Sequence, residues 1–170
     1  MVNKYTFNQF LREAEEYRNP YIFMGMDPKR YNHIWGRHMK KRDKQLKARL
    51  EPIEYAEEDD IIAMSCFNQD ITKEQLCSMI ADTLVHEAKS ICKHLKNMGA
   101  ASECFHKDFP YPIGMGIVKG LEDKVLPMSR MRVVVGHSNK EGRLFRVITA
   151  YPVFDWDETD VAYEALYGLD

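Results

Sequence analysis

The order of helical and extended segments along this chain is the feature that most constrains its fold. Apolar residues recur at helical spacing in the segments 6–17, 31–39, 43–50 and 72–95. Short apolar or alternating segments, typical of strands, lie at 61–67, 115–119, 131–137 and 144–153. Most helices therefore precede most strands, which favours an α+β fold over a doubly wound parallel sheet. We predict N-terminal helices packed on a C-terminal antiparallel β-sheet.

The segment 72–95 carries the strongest local helix signal. Thr72 and Gln75 stand in capping-box register, and Gly99 follows the segment. His86 and His94 fall on its polar face, where a histidine is most simply explained as solvated or packed. The predicted inward stripe consists of Leu76, Met79, Ile80, Leu84, Ala88, Ile91 and Leu95.

Prolines and turn residues mark the predicted breaks between elements. Asn19-Pro20 is expected to end the first helix, and residues 25–28 to form a turn. A helix that begins at Asp43 should end before Pro52. Two prolines predict an irregular loop over 100–112, while residues 138–142 supply the turn of a β-hairpin.

Length and cysteine usage limit the class of protein. The chain has 170 residues, which suits one domain with an ordinary core. Its four cysteines, Cys66, Cys77, Cys92 and Cys104, form no C-x-x-C pair, so we expect reduced thiols. The chain has neither a signal-peptide pattern nor an apolar run of about 18 residues. We therefore expect a cytoplasmic protein that does not associate with membranes.

Charge is segregated within the first third of the chain. The formal net charge of −2 argues against coating nucleic acid by bulk charge, so any such binding must be local. Nine lysines and arginines lie in residues 29–49, the basic segment, and six acidic residues follow in 51–60, the acidic segment. Two interpretations stay open, because the basic segment could bind RNA or an acidic partner, or could pair with the acidic segment itself.

One candidate site lies in the sequence His33-Ile34-Trp35-Gly36-Arg37-His38. At about 100° per residue, His33 and Arg37 lie about 40° apart on a helix, whereas His33 and His38 lie about 140° apart. His33 and Arg37 are thus expected to share a site. The spacing does not match the i and i+4 histidines of H-E-x-x-H metal sites, so we predict no metal and no cofactor. The simpler alternative is that His38 packs beneath the sheet while His33 and Arg37 are surface residues.

A second candidate lies at the end of the last predicted strand, in Ile148-Thr149-Ala150-Tyr151-Pro152. Strand alternation places Thr149 and Tyr151 on the same face, so that a hydroxyl and a phenol point in one direction. Threonine and tyrosine are also ordinary strand residues, and a purely structural role is the alternative.

These pieces occur together in the order seen in one toxin family. They are His33 to Met39, Asp43 to Leu50, Met64 to Phe67, Gly114 to Gly116, Arg132 to Val135 and Thr149 to Pro152. In this order the chain resembles the RNase A-like nuclease domain at the C-terminus of bacterial contact-dependent growth inhibition toxins. The likeness implies a single domain over 1–170, with an RNase A-like core at 30–153. A helical extension over 1–29 and an acidic tail over 154–170 would flank this core.

The resemblance also implies metal-independent RNA cleavage and neutralisation by a cognate immunity protein. By position, His33 would be the catalytic histidine, with Arg37 and His38 as its neighbours and Thr149 and Tyr151 as polar groups on the sheet. This chain has Arg30-Tyr31-Asn32 where the family pattern commonly has Gly-Gly, and it lacks the upstream His-Glu. The acid/base partner of His33 is therefore open between His38, His137 and a tyrosine.

The expected reaction is attack of the RNA 2′-hydroxyl on the adjacent phosphate, with His33 as general base or acid. Arg37 would hold the phosphate, Thr149 and Tyr151 would donate to its oxygens, and Lys40, Lys41 and Lys119 would bind the substrate. The RNA could be a specific tRNA or RNA in general. The alternative is a catalytically silent module of the same fold that binds RNA or a protein.

Overall fold

The computed structural model describes residues 3–39, 43–55 and 62–154. Residues 155–170 of the predicted acidic tail lie outside these residues. Within them the chain forms six helices and six strands. In chain order they are α1 Lys4–Glu16, α2 Pro20–Met26, α3 Pro28–His38, α4 Asp43–Leu50, β1 Ala63–Phe67, α5 Lys73–His86, α6 Ala88–Leu95, β2 Glu103–Asp108, β3 Gly114–Val118, β4 Leu126–Met128, β5 Arg130–His137 and β6 Phe145–Val153.

The described strands form two antiparallel three-stranded sheets. The first sheet has the order β1-β3-β4, and the second has the order β2-β5-β6. This arrangement confirms the predicted α+β class, with helices followed by antiparallel strands. The strands divide between two sheets, however, whereas the sequence suggested one.

The first helices differ from the prediction in one respect, because residues 20–26 form the additional helix α2. Helix α1 ends at Glu16, before Asn19-Pro20, as predicted, and Pro20 itself occupies the first turn of α2, where its missing N–H costs nothing. The side chain of Asn19 accepts hydrogen bonds from the backbone N–H groups of Tyr21 and Ile22 and so caps α2. Asp27 caps α3 in the same way by accepting from Arg30 N–H.

The long predicted helix 72–95 is divided at Glu87 into α5 and α6. The capping box is confirmed, since Thr72 Oγ1 accepts from Gln75 N–H while the Gln75 side chain accepts from Thr72 N–H. All seven residues of the predicted apolar stripe are buried. The helical period therefore continues across the break, and both helices turn the same apolar stripe inward.

The loop predicted over 100–112 is wrong, because residues 103–108 form β2. Six consecutive residues of β2 pair with β5, and Phe105 is buried in the core. The two prolines that suggested a loop lie beyond the end of the strand. The short strand β4, with Pro127 at its centre, was also missed, as a three-residue edge strand gives little sequence signal.

The N-terminal helices α1 and α2 complete the main core. The ring of Phe10 lies 4.7 Å from that of Phe145 on β6, measured between centroids. The hydroxyl of Tyr17 accepts a hydrogen bond of 3.1 Å from the backbone N–H of Val147. Glu13, which is 5% exposed, accepts from Leu144 N–H at 3.0 Å. The extension before residue 30 thus packs on the second sheet as part of one core.

None of the four cysteines, all of which lie in the described part of the chain, forms a disulfide bond. Burial raises the pKa of Cys77 to about 12 and that of Cys92 to about 11, so both thiols stay protonated at neutral pH. No helix in the described part of the chain is long and apolar enough to cross a membrane.

Tyr17→Phe tests whether α1 belongs to the folded unit. The variant keeps the buried ring but leaves the Val147 N–H without its acceptor, so we expect the free energy of unfolding to fall by about 1–3 kcal/mol. Urea denaturation measures this difference. Tyr5→Phe, on the exposed side of the same helix, is the control and should change it by no more than about 0.5 kcal/mol. Equal stability of the two variants would contradict the assignment of α1 to the core.

Candidate active site

Three polar side chains lie side by side across the second sheet. His106 on β2 pairs with Arg132 on β5, and Arg132 pairs with Tyr151 on β6. Cross-strand partners point to the same face of a sheet, so these three side chains share one face. The neighbouring row, which points to the opposite face, contains the buried residues Phe105 and Val133. The second sheet therefore has an apolar face against the core and a polar face, which carries the candidate site.

Arg132 connects the three side chains. Its Nε donates a hydrogen bond of 2.9 Å to Nε2 of His106, and its Nη1 donates one of 3.3 Å to the hydroxyl of Tyr151. The guanidinium carbon lies 5.7 Å from the centroid of the Tyr151 ring. A guanidinium has five N–H donors, so further donors remain for an anion.

Thr149 lies on the same face as Tyr151, as strand alternation predicted. A bulge shifts the register between Val134 and Val135, so that Thr149 pairs with Val134 while Val147 pairs with Val135. Oγ1 of Thr149 is buried and has no hydrogen-bond partner among the residues that the structure describes. Such a hydroxyl can donate to a ligand oxygen, which would offset the cost of its burial.

The end of α3 brings two histidines to this face. The ring of His38 stacks on Tyr151, with centroids 5.2 Å apart and planes at 30°. The ring of His33 meets that of His38 edge-on, at 5.4 Å and 73°. The helical wheel had separated these two histidines, but His38 is the last residue of α3 and Met39 is already extended, so the wheel does not fix its side chain.

Arg37, which the sequence suggested would hold the phosphate, lies in the last turn of α3. Its side chain is exposed, and its backbone carbonyl accepts a hydrogen bond of 2.8 Å from Arg49 Nη1. Arg37 acts on the site through charge. Burial, followed by the charges of Arg37 and Arg30, lowers the pKa of His33 below its ordinary value.

His106 is also held in its neutral form. Burial lowers its pKa, and the charges of Arg132 and Arg130 lower it further, against weaker opposing effects of Glu87 and Asp108. Both His33 and His106 are therefore largely unprotonated at neutral pH. The neutral imidazole of His33 can accept a proton, as a general base must, whereas the neutral imidazole of His106 already accepts the hydrogen bond from Arg132.

Of the predicted substrate-binding lysines, Lys119 is described, and its hydrogen bonds go to the C-terminal end of α4. The ammonium of Lys119 donates to the carbonyls of Leu50 and Glu51, each at 3.2 Å, and to that of Ile53. These bonds occupy its three donors at the C-terminal end of α4, and substrate binding by Lys119 stays a prediction. Lys40 and Lys41 lie outside the described residues, and so do parts of the basic and acidic segments, which leaves those predictions untested.

Sequence reasoning missed His106 and the role of Arg132. His106 lay in the segment taken for a loop, and Arg132 was identified as a strand residue but not as part of the site. Alternation along 103–108 was the available signal, since Cys104, His106 and Asp108 share a face opposite Phe105. Of the partners left open for His33, His38 and Tyr151 lie at the site, whereas His137 contacts the backbone oxygen of Leu95 at 3.0 Å beside α6.

The functional groups at the site are imidazole, guanidinium, phenol and hydroxyl. Within residues 3–39, 43–55 and 62–154, no cluster of three or more histidine, cysteine, aspartate or glutamate side chains could hold a metal ion. The arrangement offers hydrogen-bond donors and positive charge to an anion, next to imidazoles that can transfer protons.

Comparisons with known proteins agree with this architecture. The family model described as the bacterial CdiA-CT RNase A domain matches residues 32–152, which is most of the chain. The protein is thus an RNase A-like toxin domain. More specifically, it belongs to the CdiA-CT RNase A family, as the resemblance predicted.

A solved structure shares the fold. The crystal structure of a CdiA-CT/CdiI complex from Y. kristensenii 33638 contains a chain that is 19% identical, with a TM-score of 0.58. The similarity covers 71% of this chain and 98% of that one. A search of curated proteins gives no match.

Arg37→Gln should raise the pKa of His33, because removing a nearby cation makes the protonated imidazole less unfavourable. An NMR titration of the imidazole resonances measures the change. Lys29→Gln removes an exposed cation from the same helix and is the matched control, with a smaller expected shift. An unchanged His33 titration in Arg37→Gln, or equal shifts in both variants, would contradict the electrostatic assignment.

Proposed function

We propose that this protein is an endoribonuclease that cleaves RNA by attack of the 2′-hydroxyl on the adjacent phosphate, without a metal ion. The observation that carries the proposal is the contact of His38, with His33 beside it, with the polar face of the second sheet. The stacking of His38 on Tyr151 joins the proton-transfer groups to the guanidinium of Arg132.

The chemistry requires one proton acceptor, one proton donor and stabilisation of the charged phosphate. A base takes the proton from the 2′-hydroxyl, and the 2′-oxygen forms a bond to phosphorus. The bond from phosphorus to the 5′-oxygen breaks, and an acid protonates that oxygen. The products are a 2′,3′-cyclic phosphate and a 5′-hydroxyl. DNA lacks the attacking group, so the reaction is specific to RNA.

We assign proton transfer to the two histidines of α3. The lowered pKa of His33 keeps it neutral at physiological pH, which suits the general base. His38, in ring contact with both His33 and Tyr151, is the proposed general acid. This pair takes the place of the upstream histidine that the family pattern has and this chain lacks.

We assign phosphate binding to the sheet. Arg132 takes the role that the sequence suggested for Arg37, because its guanidinium lies among the polar side chains of the sheet. The Tyr151 hydroxyl accepts from Arg132, so its own proton is free to be donated to a phosphate oxygen. The buried Thr149 hydroxyl supplies a second donor. These donors would stabilise the additional charge of the transition state.

The biological setting is inferred from the family and the related structure. A CdiA-CT domain is bound to CdiI in that structure, which supports a cognate immunity protein as the partner here. We propose that the toxin acts on RNA, with tRNA as a candidate, in the cytosol of a target cell. The basic segment would add affinity for the RNA backbone that weakens with salt.

Incubation with total RNA in excess EDTA tests the reaction. We expect wild-type protein to give fragments with 2′,3′-cyclic phosphate ends. His33→Ala should lower the rate by about 10²- to 10⁴-fold, the usual contribution of general acid/base catalysis. Tyr151→Phe, which removes one phosphate donor, should lower it by about 10²-fold. His86→Ala, at an exposed histidine of α5, is the control and should cleave like wild type.

The other outcomes separate the alternatives. Intact RNA that the protein nevertheless binds at low salt and releases at high salt would indicate the catalytically silent module. Cleavage that EDTA abolishes would exclude the metal-independent mechanism. Full activity of His33→Ala would show that the assigned histidine is wrong.

A further inference from the structure

We propose that His106 is a positioning residue that holds Arg132 in place by accepting its hydrogen bond as a neutral imidazole. Only the expected effect of His106 on RNA cleavage rests on the proposed function. The hydrogen bond itself and the binding of phosphate can be tested without any enzymatic activity.

The geometry fixes the protonation state of His106. A guanidinium is always charged and can only donate, so the 2.9 Å contact from Arg132 Nε requires a lone pair on His106 Nε2. The single ring proton of the neutral form must then lie on Nδ1. A doubly protonated His106 would present an N–H to the guanidinium, and the hydrogen bond would be lost.

The same geometry argues against a direct role in catalysis. A neutral imidazole has one accepting nitrogen, and that of His106 is occupied by Arg132. His106 therefore has no lone pair left to remove a proton from RNA. Its Nδ1–H can still donate a hydrogen bond but cannot accept a proton, so the role that the contact supports is that of holding Arg132.

Arg132 is held at two points, by His106 on one neighbouring strand and by Tyr151 on the other. Two contacts on different N–H groups restrict a long side chain that would otherwise sample many rotamers. The guanidinium is thereby held beside the Tyr151 hydroxyl, with its remaining donors available to an anion. Loss of the His106 contact leaves one of the two restraints.

The charged groups around His106 keep it an acceptor. Arg132 and Arg130 on β5 favour its neutral form, whereas Glu87 between α5 and α6 and Asp108 on β2 oppose them. Asp108 is itself paired with Arg130, through contacts of 2.6 Å and 3.1 Å. Burial adds to the effect of the arginines, and the pKa of His106 lies below its ordinary value.

Two matched variants separate positioning from proton transfer. His106→Gln places an amide oxygen near the position of Nε2, where it can accept from Arg132, but glutamine cannot exchange a proton at neutral pH. His106→Asn has the same functional group, but its shorter side chain places the amide near the Nδ1 position. The two variants thus differ in the length of the side chain but not in its functional group.

We expect the glutamine variant to stay within about threefold of wild type in kcat/KM and in its affinity for inorganic phosphate. The asparagine variant should lose about tenfold to 100-fold in kcat/KM and bind phosphate more weakly, as expected for loss of a hydrogen bond to a charged group. Thermal unfolding of each variant checks that it is folded. Nitrogen-15 NMR of the wild-type protein should show the proton of His106 on Nδ1 at neutral pH.

Three results would overturn the proposal. Equal losses in both variants would mean that His106 transfers a proton itself, and wild-type behaviour of the asparagine variant would mean that Arg132 needs no restraint. A proton on Nε2 of His106 in the NMR spectrum would exclude the hydrogen bond directly. If wild-type protein does not cleave RNA, the proposed function fails, but the NMR and phosphate measurements still decide this inference.

Discussion

The pairing register of β2, β5 and β6 is the constraint on which the candidate site depends. Side chains alternate between the two faces of a sheet, so a slip of one residue would exchange the polar and apolar faces of a strand. Such a slip in β5 would turn Arg132 into the core and Val133 toward the site. The buried contacts of Val133 and Phe105 with the main core oppose it. The energy that fixes the register is therefore mostly hydrophobic, while the chemistry lies on the opposite face.

The second requirement is that α3 meets β6 at the polar face. Tyr31 and Ile34 are buried on one side of α3, which fixes the rotation of the helix and directs His33 away from the core. The stacking of His38 on Tyr151 then joins helix and sheet. The charges of Arg37 and Arg30 disfavour the protonated form of His33, so the site combines a neutral proton acceptor with fixed positive charge. This combination suits a reaction in which a neutral base acts beside an anion.

Local signals in the sequence predicted much of this arrangement. The sequence did not show which distant segments pair with each other. The capping box at Thr72, the helix that begins at Asp43 and the common face of Thr149 and Tyr151 depend on neighbouring residues, and all three agree with the structure. The place of His106 depends on its partner 26 residues away, and the nearby prolines hid the strand that carries it. The position of His38 depends on where α3 ends and on contact with β6. The family resemblance linked the segment around His33 with Thr149 and Tyr151, which periodicity could not do, but it did not identify Arg132 or His106 as site residues.

The central claim is that α3 and the second sheet act on one phosphate. The most direct test is a crystal structure with a dinucleotide whose attacking 2′-hydroxyl is replaced by hydrogen, so that it binds without being cleaved. We predict that its phosphate lies within about 2.7–3.2 Å of donors from Arg132 and Thr149, with His33 or His38 beside the reacting oxygens. A phosphate bound along the basic segment, with the polar face of the second sheet free of ligand, would contradict the account.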